Sequence, residues 1–243
     1  MKIIIAEDAN ILGKKAAAEA ARALNRKVKK YGRARLLLST GKSQLEVLQF
    51  LIKEKVNWTK IEMFHLDEYV GVSDSHRASF RRYLNERFVA HLHLAEAYMI
   101  NGEKNVAKTI SSLEDAIGKA PIDVALVGIG INTHIAFNDP PADFETKKPF
   151  IKVKLDQVCK QQQVDEGWFT SIEEIPEEAI TMSVHQIMKS EKIISCVPSI
   201  SKVEAVLRTL NEPISNKYPS TILKSHPRWS LYLDKDSASG IIK

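Results

Sequence analysis

Residues 123–140 read DVALVGIGINTHIAFNDP. An apolar run breaks at Gly128 and Gly130 and then presents Asn132, His134, Asn138 and Asp139. An imidazole near a carboxylate can pass protons near neutral pH. Three other stretches carry comparable ingredients: Ser39-Thr40-Gly41-Lys42-Ser43, Asp67-Glu68-Tyr69, and the run from Val197 to Lys202. In the first, a glycine between hydroxyls sits where a strand pattern passes into a helix pattern, and the amides and dipole of a helix start favour phosphate. Lys202 opens a helix pattern after a strand, well placed to neutralise an anion. Together these stretches read as a phosphate cradle, an acidic proton-transfer group and a histidine–carboxylate pair. That set suits cofactor-free proton chemistry on a phosphorylated sugar. Spacing alone leaves the plain readings open: a core strand with a surface loop, a Ser/Thr helix cap, a surface lysine.

Several familiar chemistries are excluded or disfavoured. Gly41-Lys42-Ser43 matches the tail of a nucleotide P-loop, but Leu36 stands where that motif requires glycine. Gly128-Ile129-Gly130 begins a dinucleotide fingerprint, but Thr133 replaces its third glycine and no helix pattern follows, so a nicotinamide cofactor is rejected. His65, His91 and His93 make no convincing metal set. Cys159 and Cys196 lack metal-type spacing, and so few cysteines suit a reducing compartment.

The elements that must hold these residues alternate between strand and helix. Helix patterns cover Ile11–Tyr31, Ser43–Lys53, Ser75–Phe88, Val106–Ile117, Thr181–Lys189 and Lys202–Leu210. Strand patterns cover Arg33–Ser39, Lys60–Asp67, Tyr98–Ile100, Ile122–Gly128, Ile151–Leu155, Ile193–Pro198 and Trp229–Leu233. This order predicts a three-layer, Rossmann-like α/β fold, a mostly parallel sheet with helices on both faces, and ligands at the C-terminal strand ends. No low-complexity linker divides the chain, so residues 1–243 read as one domain. The segment from Lys147 to Glu178 reads as an insertion or lid.

With 243 residues, 44% of them hydrophobic, the chain can bury one large core. The net charge of +5 is spread along the chain and suits an anionic small molecule rather than nucleic acid. The Lys-rich stretch Lys14–Arg35 is interleaved with alanines at helical spacing and reads as a solvated helix face. The opening MKIIIAED is too short in apolar residues for a signal core, and no run reaches membrane-spanning length. A soluble, cytoplasmic protein with no membrane or nucleic-acid partner is expected.

Phe64–Gly71 (FHLDEYVG) and Gly128–Asp139 (GIGINTHIAFND) resemble the two signature segments of the glucosamine-6-phosphate deaminases. Those usually read F-x-x-D-E-Y-x-G and G-I-G-x-D-G-H-I-A-F-N-E. The resemblance runs from the Ser39-Thr40-Gly41 turn through Lys202 and includes Pro219–Leu223 and His226-Pro227. It implies conversion of glucosamine 6-phosphate and water to fructose 6-phosphate and ammonia, in amino-sugar catabolism, with no redox cofactor and no metal. It also implies a homo-oligomer. Carried over by position, Asp67 is the acid/base between C2 and C1, His134 assists ring opening, and Asp139 is its carboxylate partner. Asn132 stands at a further catalytic position. Ser39, Thr40, Gly41, Lys42 and Ser43 match the phosphate loop, Gly130 its neighbouring turn, and Lys202 the phosphate lysine.

The chain departs from that pattern. Asn132 replaces Asp and gives an imidazolium less electrostatic support. Thr133 replaces Gly and calls for a backbone conformation that a β-branched residue tolerates. Asp139 is one methylene shorter than Glu. A phosphate-binding arginine has no counterpart in residues 160–168. Gln161–Phe169 resembles a segment of deaminase-like relatives that carry Asn before the Gly-His, which points to a divergent branch. A non-catalytic sugar-phosphate binder and a 6-phosphogluconolactonase-type hydrolase are the alternatives.

Overall fold

The run Ala34–Leu38 (β2) is buried at every position, as a strand covered on both faces must be. Leu36 and Leu38 pack into one apolar cluster and Leu37 into another, because successive side chains point to opposite faces. The computed structural model describes residues 1–241. In it β2 lies in a seven-stranded sheet with β1 (Lys2–Ala6), β3 (Ile61–His65), β5 (Glu96–Tyr98), β6 (Val124–Leu126), β9 (Ile193–Val197) and β10 (Trp229–Asp234). The order is β1-β10-β9-β6-β2-β3-β5, and every pairing is parallel.

Helices α1 (Ala9–Tyr31), α2 (Leu45–Leu51) and α3 (Phe80–Arg87) cover one face. Helices α4 (Val106–Ile117), α6 (Val184–Met188) and α7 (Val203–Asn211) cover the other. The predicted layered α/β architecture is therefore present. Among the described residues, no helix is long and apolar enough to cross a membrane.

A second, antiparallel sheet carries part of the site. Its order is β4 (Asp67–Tyr69), β8 (Glu178–Met182) and β7 (Phe150–Lys154), with α5 (Gln157–Asp165) between β7 and β8 in the chain. Tyr69, Phe80, Phe137, Phe169 and Cys159 share its small apolar cluster.

This sheet accounts for most corrections to the predicted elements. The expected strand Lys60–Asp67 is two strands. The Leu66 amide still donates to Leu38 in the parallel sheet, while the Leu66 carbonyl accepts from Met182 of the antiparallel one. The segment 147–178, read as an insertion or lid, supplies β7 to that sheet and α5 beside it, and Ile151–Leu155 becomes Phe150–Lys154 within it. The expected helix Thr181–Lys189 begins as strand β8. A short buried run such as Ala179–Met182 fits either period, and Ser183, accepting from the Gln186 amide, starts the helix only afterwards.

The expected helix Ser75–Phe88 starts only at Phe80, because Ser79 caps it through the Arg82 amide. The strand predicted at Tyr98–Ile100 lies at Glu96–Tyr98, and edge strand β1 was not anticipated.

Glu19 of α1 fastens that helix to the sheet. It accepts from Ser230 Oγ at 2.7 Å and from the Tyr232 hydroxyl, and pairs with Lys192 at 2.6 Å. Burial opposes its ionisation, but the hydrogen bonds from Lys192, Tyr232 and Ser230 outweigh burial and lower its pKa from 4.5 to about 2. A depressed carboxylate contributes stability that is complete above its unfolded pKa and is lost as pH falls through the folded one. Glu19→Gln should therefore cost about 2 kcal/mol near neutral pH. Denaturant titrations of both proteins should show the gap closing between pH 4.5 and 2; a gap that ignores pH would refute the ionic account.

Candidate active site

The turn after β2 is braced from three sides. Ser39 Oγ accepts from the Gly128 amide at 3.2 Å, joining it to the end of β6. Gly41 has φ of 101°, a conformation L side chains rarely adopt, and its carbonyl accepts from the Tyr83 hydroxyl at 2.9 Å. Gln44 Nε2 donates to Ser43 Oγ at 2.9 Å and to the Cys196 carbonyl at 3.3 Å. Ser39, Thr40, Gly41, Lys42 and Ser43 all line one cavity of about 700 Å³.

The end of β9 supplies a second wall. Ser199 has φ of 90°, and its amide donates to the Asp234 carboxylate at 2.9 and 3.2 Å. This strained turn delivers Lys202 to the same cavity. Lys202 is buried and makes no ion pair among the described residues. Burial pushes its pKa down, while the nearby Glu166 carboxylate works the other way. A buried ammonium without a partner favours an incoming anion.

The two acids of Asp67-Glu68 divide their work. Asp67 lines the cavity, and its pKa is raised well above 3.8, first by burial and then by the charges of Glu68 and Asp139. Glu68 is fully buried and faces away, accepting from the amides of Tyr69, Phe80 and Arg81 and from Ser79 Oγ at 2.8–3.1 Å. It joins β4 to the start of α3. Burial raises its pKa even so. Sequence reasoning gave Glu68 no task, because the helix amides it binds, at Phe80 and Arg81, lie 12 and 13 positions along the chain, beyond any local pattern.

The turn at residues 130–134 holds the histidine. The Gly130 amide donates to the His134 carbonyl at 2.9 Å and the Thr133 amide to the Gly130 carbonyl at 3.0 Å. A Cβ on Gly130 would lie only 2.2–2.5 Å from three atoms of the His134 ring. The conformation expected at Thr133 is wrong: it has φ of 72°, left-handed, as the glycine it replaces would. Closure of the turn on one side and the Ser220 amide donating to the Thr133 carbonyl on the other hold it there.

Asn132 and Asp139 do not line the cavity; they stand behind His134. Asn132 Oδ1 accepts from the His134 amide and its Nδ2 donates to Asp139 Oδ1, both at 3.1 Å. His134 Nδ1 lies 3.1 Å from Asp139 Oδ1 but out of line for a straight hydrogen bond. Burial opposes ionisation of Asp139, yet His134, Asn132 and the Asp156 amide outweigh it and hold its pKa below the usual value. Asn132 thus positions both partners by hydrogen bonding.

The structure brings nine of the eleven sequence-derived site residues to the cavity wall: Ser39 to Ser43, Asp67, Gly130, His134 and Lys202. Sequence reasoning missed Gln162 and Glu166, which also line it. Gln162 Oε1 accepts from the Ile131 amide at 3.4 Å, and its Nε2 donates to Glu166 at 2.6 Å. The Gln-rich segment was noticed, but nothing in it showed that α5 returns over the site.

The family model described as "Glucosamine-6-phosphate isomerases/6-phosphogluconolactonase" matches residues 7–231. Glucosamine-6-phosphate deaminases of Staphylococcus epidermidis and Clostridium novyi are 31% and 34% identical to this chain. The alignments cover 98% of this chain in both cases, and 98% and 99% of the relatives. Among solved structures, a monomeric glucosamine-6-phosphate deaminase matches with a TM-score of 0.90 and 28% identity, over 99% of this chain and 100% of that one. A 6-phosphogluconolactonase from Thermotoga maritima, at 14% identity and a TM-score of 0.80 over 96% and 99%, shares the fold.

Because the ring of His134 rests on the bare backbone of Gly130, Gly130→Ala should displace the imidazole. A displacement near 1 Å costs on the order of a hundredfold in turnover. Steady-state kinetics on the folded variant check this, and an unchanged rate would remove His134 from the reaction.

Proposed function

The chain belongs to the glucosamine-6-phosphate isomerase/6-phosphogluconolactonase family, and on that premise we propose that it is a glucosamine-6-phosphate deaminase. It converts glucosamine 6-phosphate and water to fructose 6-phosphate and ammonia. The observation that carries the reading is that Asp67, His134 and the unpaired Lys202 share one cavity. The lysine and the Ser39–Ser43 turn hold the phosphate. A fixed anion at one end leaves the sugar carbons to be presented to Asp67.

His134, held by Asn132 and Asp139, moves a proton to the ring oxygen and opens the pyranose. In the open chain, C1 is an aldehyde and C2 carries the amine and one acidic hydrogen. Asp67 takes that hydrogen from C2 and returns it at C1, which leaves an imine at C2. Water adds to C2 and ammonia departs, giving the ketose. A carbon acid is weak, so a carboxylate made more basic by burial is the better matched base.

The residues these steps use all line or back one cavity of a single chain. The reaction's soluble, phosphorylated substrate is consistent with a cytoplasmic enzyme.

Purified protein incubated with glucosamine 6-phosphate should release ammonia and fructose 6-phosphate in equal amounts. Hydrolysis of 6-phosphogluconolactone in place of that reaction would assign the other activity of the family. Asp67→Asn should lower kcat by about a hundredfold or more with KM nearly kept. Because the base must be ionised, kcat/KM should fall on acidification at a pH above the ordinary 3.8 of an aspartate. Lys202→Met should raise KM for the phosphorylated sugar by about tenfold or more while kcat changes little. A KM unchanged in that variant would remove Lys202 from phosphate binding.

A further inference from the structure

Cys159 takes no part in the steps above, yet it is buried on the first turn of α5 directly behind the ring-opening pair. One donor atom each of His134, Asp139 and Cys159 lies within 4.8 Å of the other two. We propose that these three side chains form a site for a thiophilic divalent cation of the zinc type, and that filling it disables the histidine.

The donor set fits such an ion. Zinc bonds of about 2.0 Å to nitrogen and oxygen and 2.3 Å to sulfur place tetrahedral donors about 3.5 Å apart. His134 and Asp139 already stand 3.1 Å apart. The remaining separation closes by about an ångström of side-chain rotation at Cys159. His134 Nδ1 is buried without a straight hydrogen bond, so its lone pair is available to an ion beside Asp139. Imidazole, carboxylate and thiolate together carry two negative charges, matching a divalent ion. A thiolate in the set selects zinc, cadmium or cobalt over magnesium and calcium, which take oxygen ligands. Three protein ligands leave a fourth position for water, as in zinc sites with three protein ligands.

On binding, the thiol proton of Cys159 passes to solvent and a sulfur–metal bond forms. With Nδ1 on the metal, the proton of the neutral imidazole stays on Nε2, and the ring can no longer take up a second proton and return it as an imidazolium does. Inhibition therefore rests on the catalytic reading of His134, whereas metal binding does not.

Cadmium added to reduced, metal-stripped protein is the test. One equivalent should bind with an ultraviolet sulfur-to-cadmium charge-transfer band, and ammonia release should fall in parallel and return with a chelator. Cys159→Ala should lose the band, and its remaining activity should no longer respond to cadmium. Cys196→Ala should keep the band. His134→Gln, which leaves the thiol in place, should weaken cadmium binding by about tenfold or more. Absence of the band in the wild-type protein, or a band that survives Cys159→Ala, overturns the site. A Cys159-dependent band in an active enzyme that cadmium does not inhibit overturns the coupling to His134. If the protein shows no deaminase activity, the band and its loss in Cys159→Ala still decide the site.

Discussion

The carboxylate of Asp67 is buried where the chain leaves one sheet and enters another. At Leu66 the backbone still completes the parallel pairing with β2 through its amide, while its carbonyl already belongs to the antiparallel pairing with β8. An acid attached to that crossing is held in place by a ladder on either side. Desolvation then raises its proton affinity, and the neighbouring carboxylates of Glu68 and Asp139 add to the effect. The second sheet therefore sets the proton affinity of this acid, on which the proposed role of Asp67 as a base depends.

Holding such a group still requires support that is itself satisfied. Glu68 supplies it by accepting the first amides of α3, which fixes the direction of β4 and hence of the adjacent Asp67. The aromatic cluster of Tyr69, Phe80 and Phe137 packs the other side, with ring centroids 4.9–5.6 Å apart. Phe137 also belongs to the loop that carries His134 and Asp139. Asp67 and His134 are thus set against one small core, though they lie far apart in sequence. Strain is tolerated at Thr133 and Ser199, where closed turns with paired amides hold φ positive beside the cavity.

Most of the parallel sheet was legible because its central strands are short, largely apolar, buried runs separated by periodic helices. Val106–Ile117 is a helix with the bounds its pattern predicted, and Ile193–Val197 is a strand within one residue of its own. The antiparallel pairing was not legible. Phe150–Lys154 was expected as a strand one residue along, but its partner was not, because Ala179–Met182 is too short to distinguish its period from that of the helix that follows. Asn132 and Asp139 were recognised by type, but their place behind the histidine depends on how the turn closes.

By itself, the sequence determined which residues are candidates for chemistry, because side-chain identity and the turn chemistry of Gly41 and Gly130 are local properties. It also determined that parallel strand ends would gather them, since strand-and-helix alternation admits few topologies. Tertiary structure alone decided what those groups experience. The desolvation of Asp67, the unpaired burial of Lys202, the removal of Glu68 from the cavity and the approach of Cys159 to His134 all arise from contacts between distant segments. Proton affinity and metal affinity depend on those surroundings, which no residue's neighbours in the chain specify.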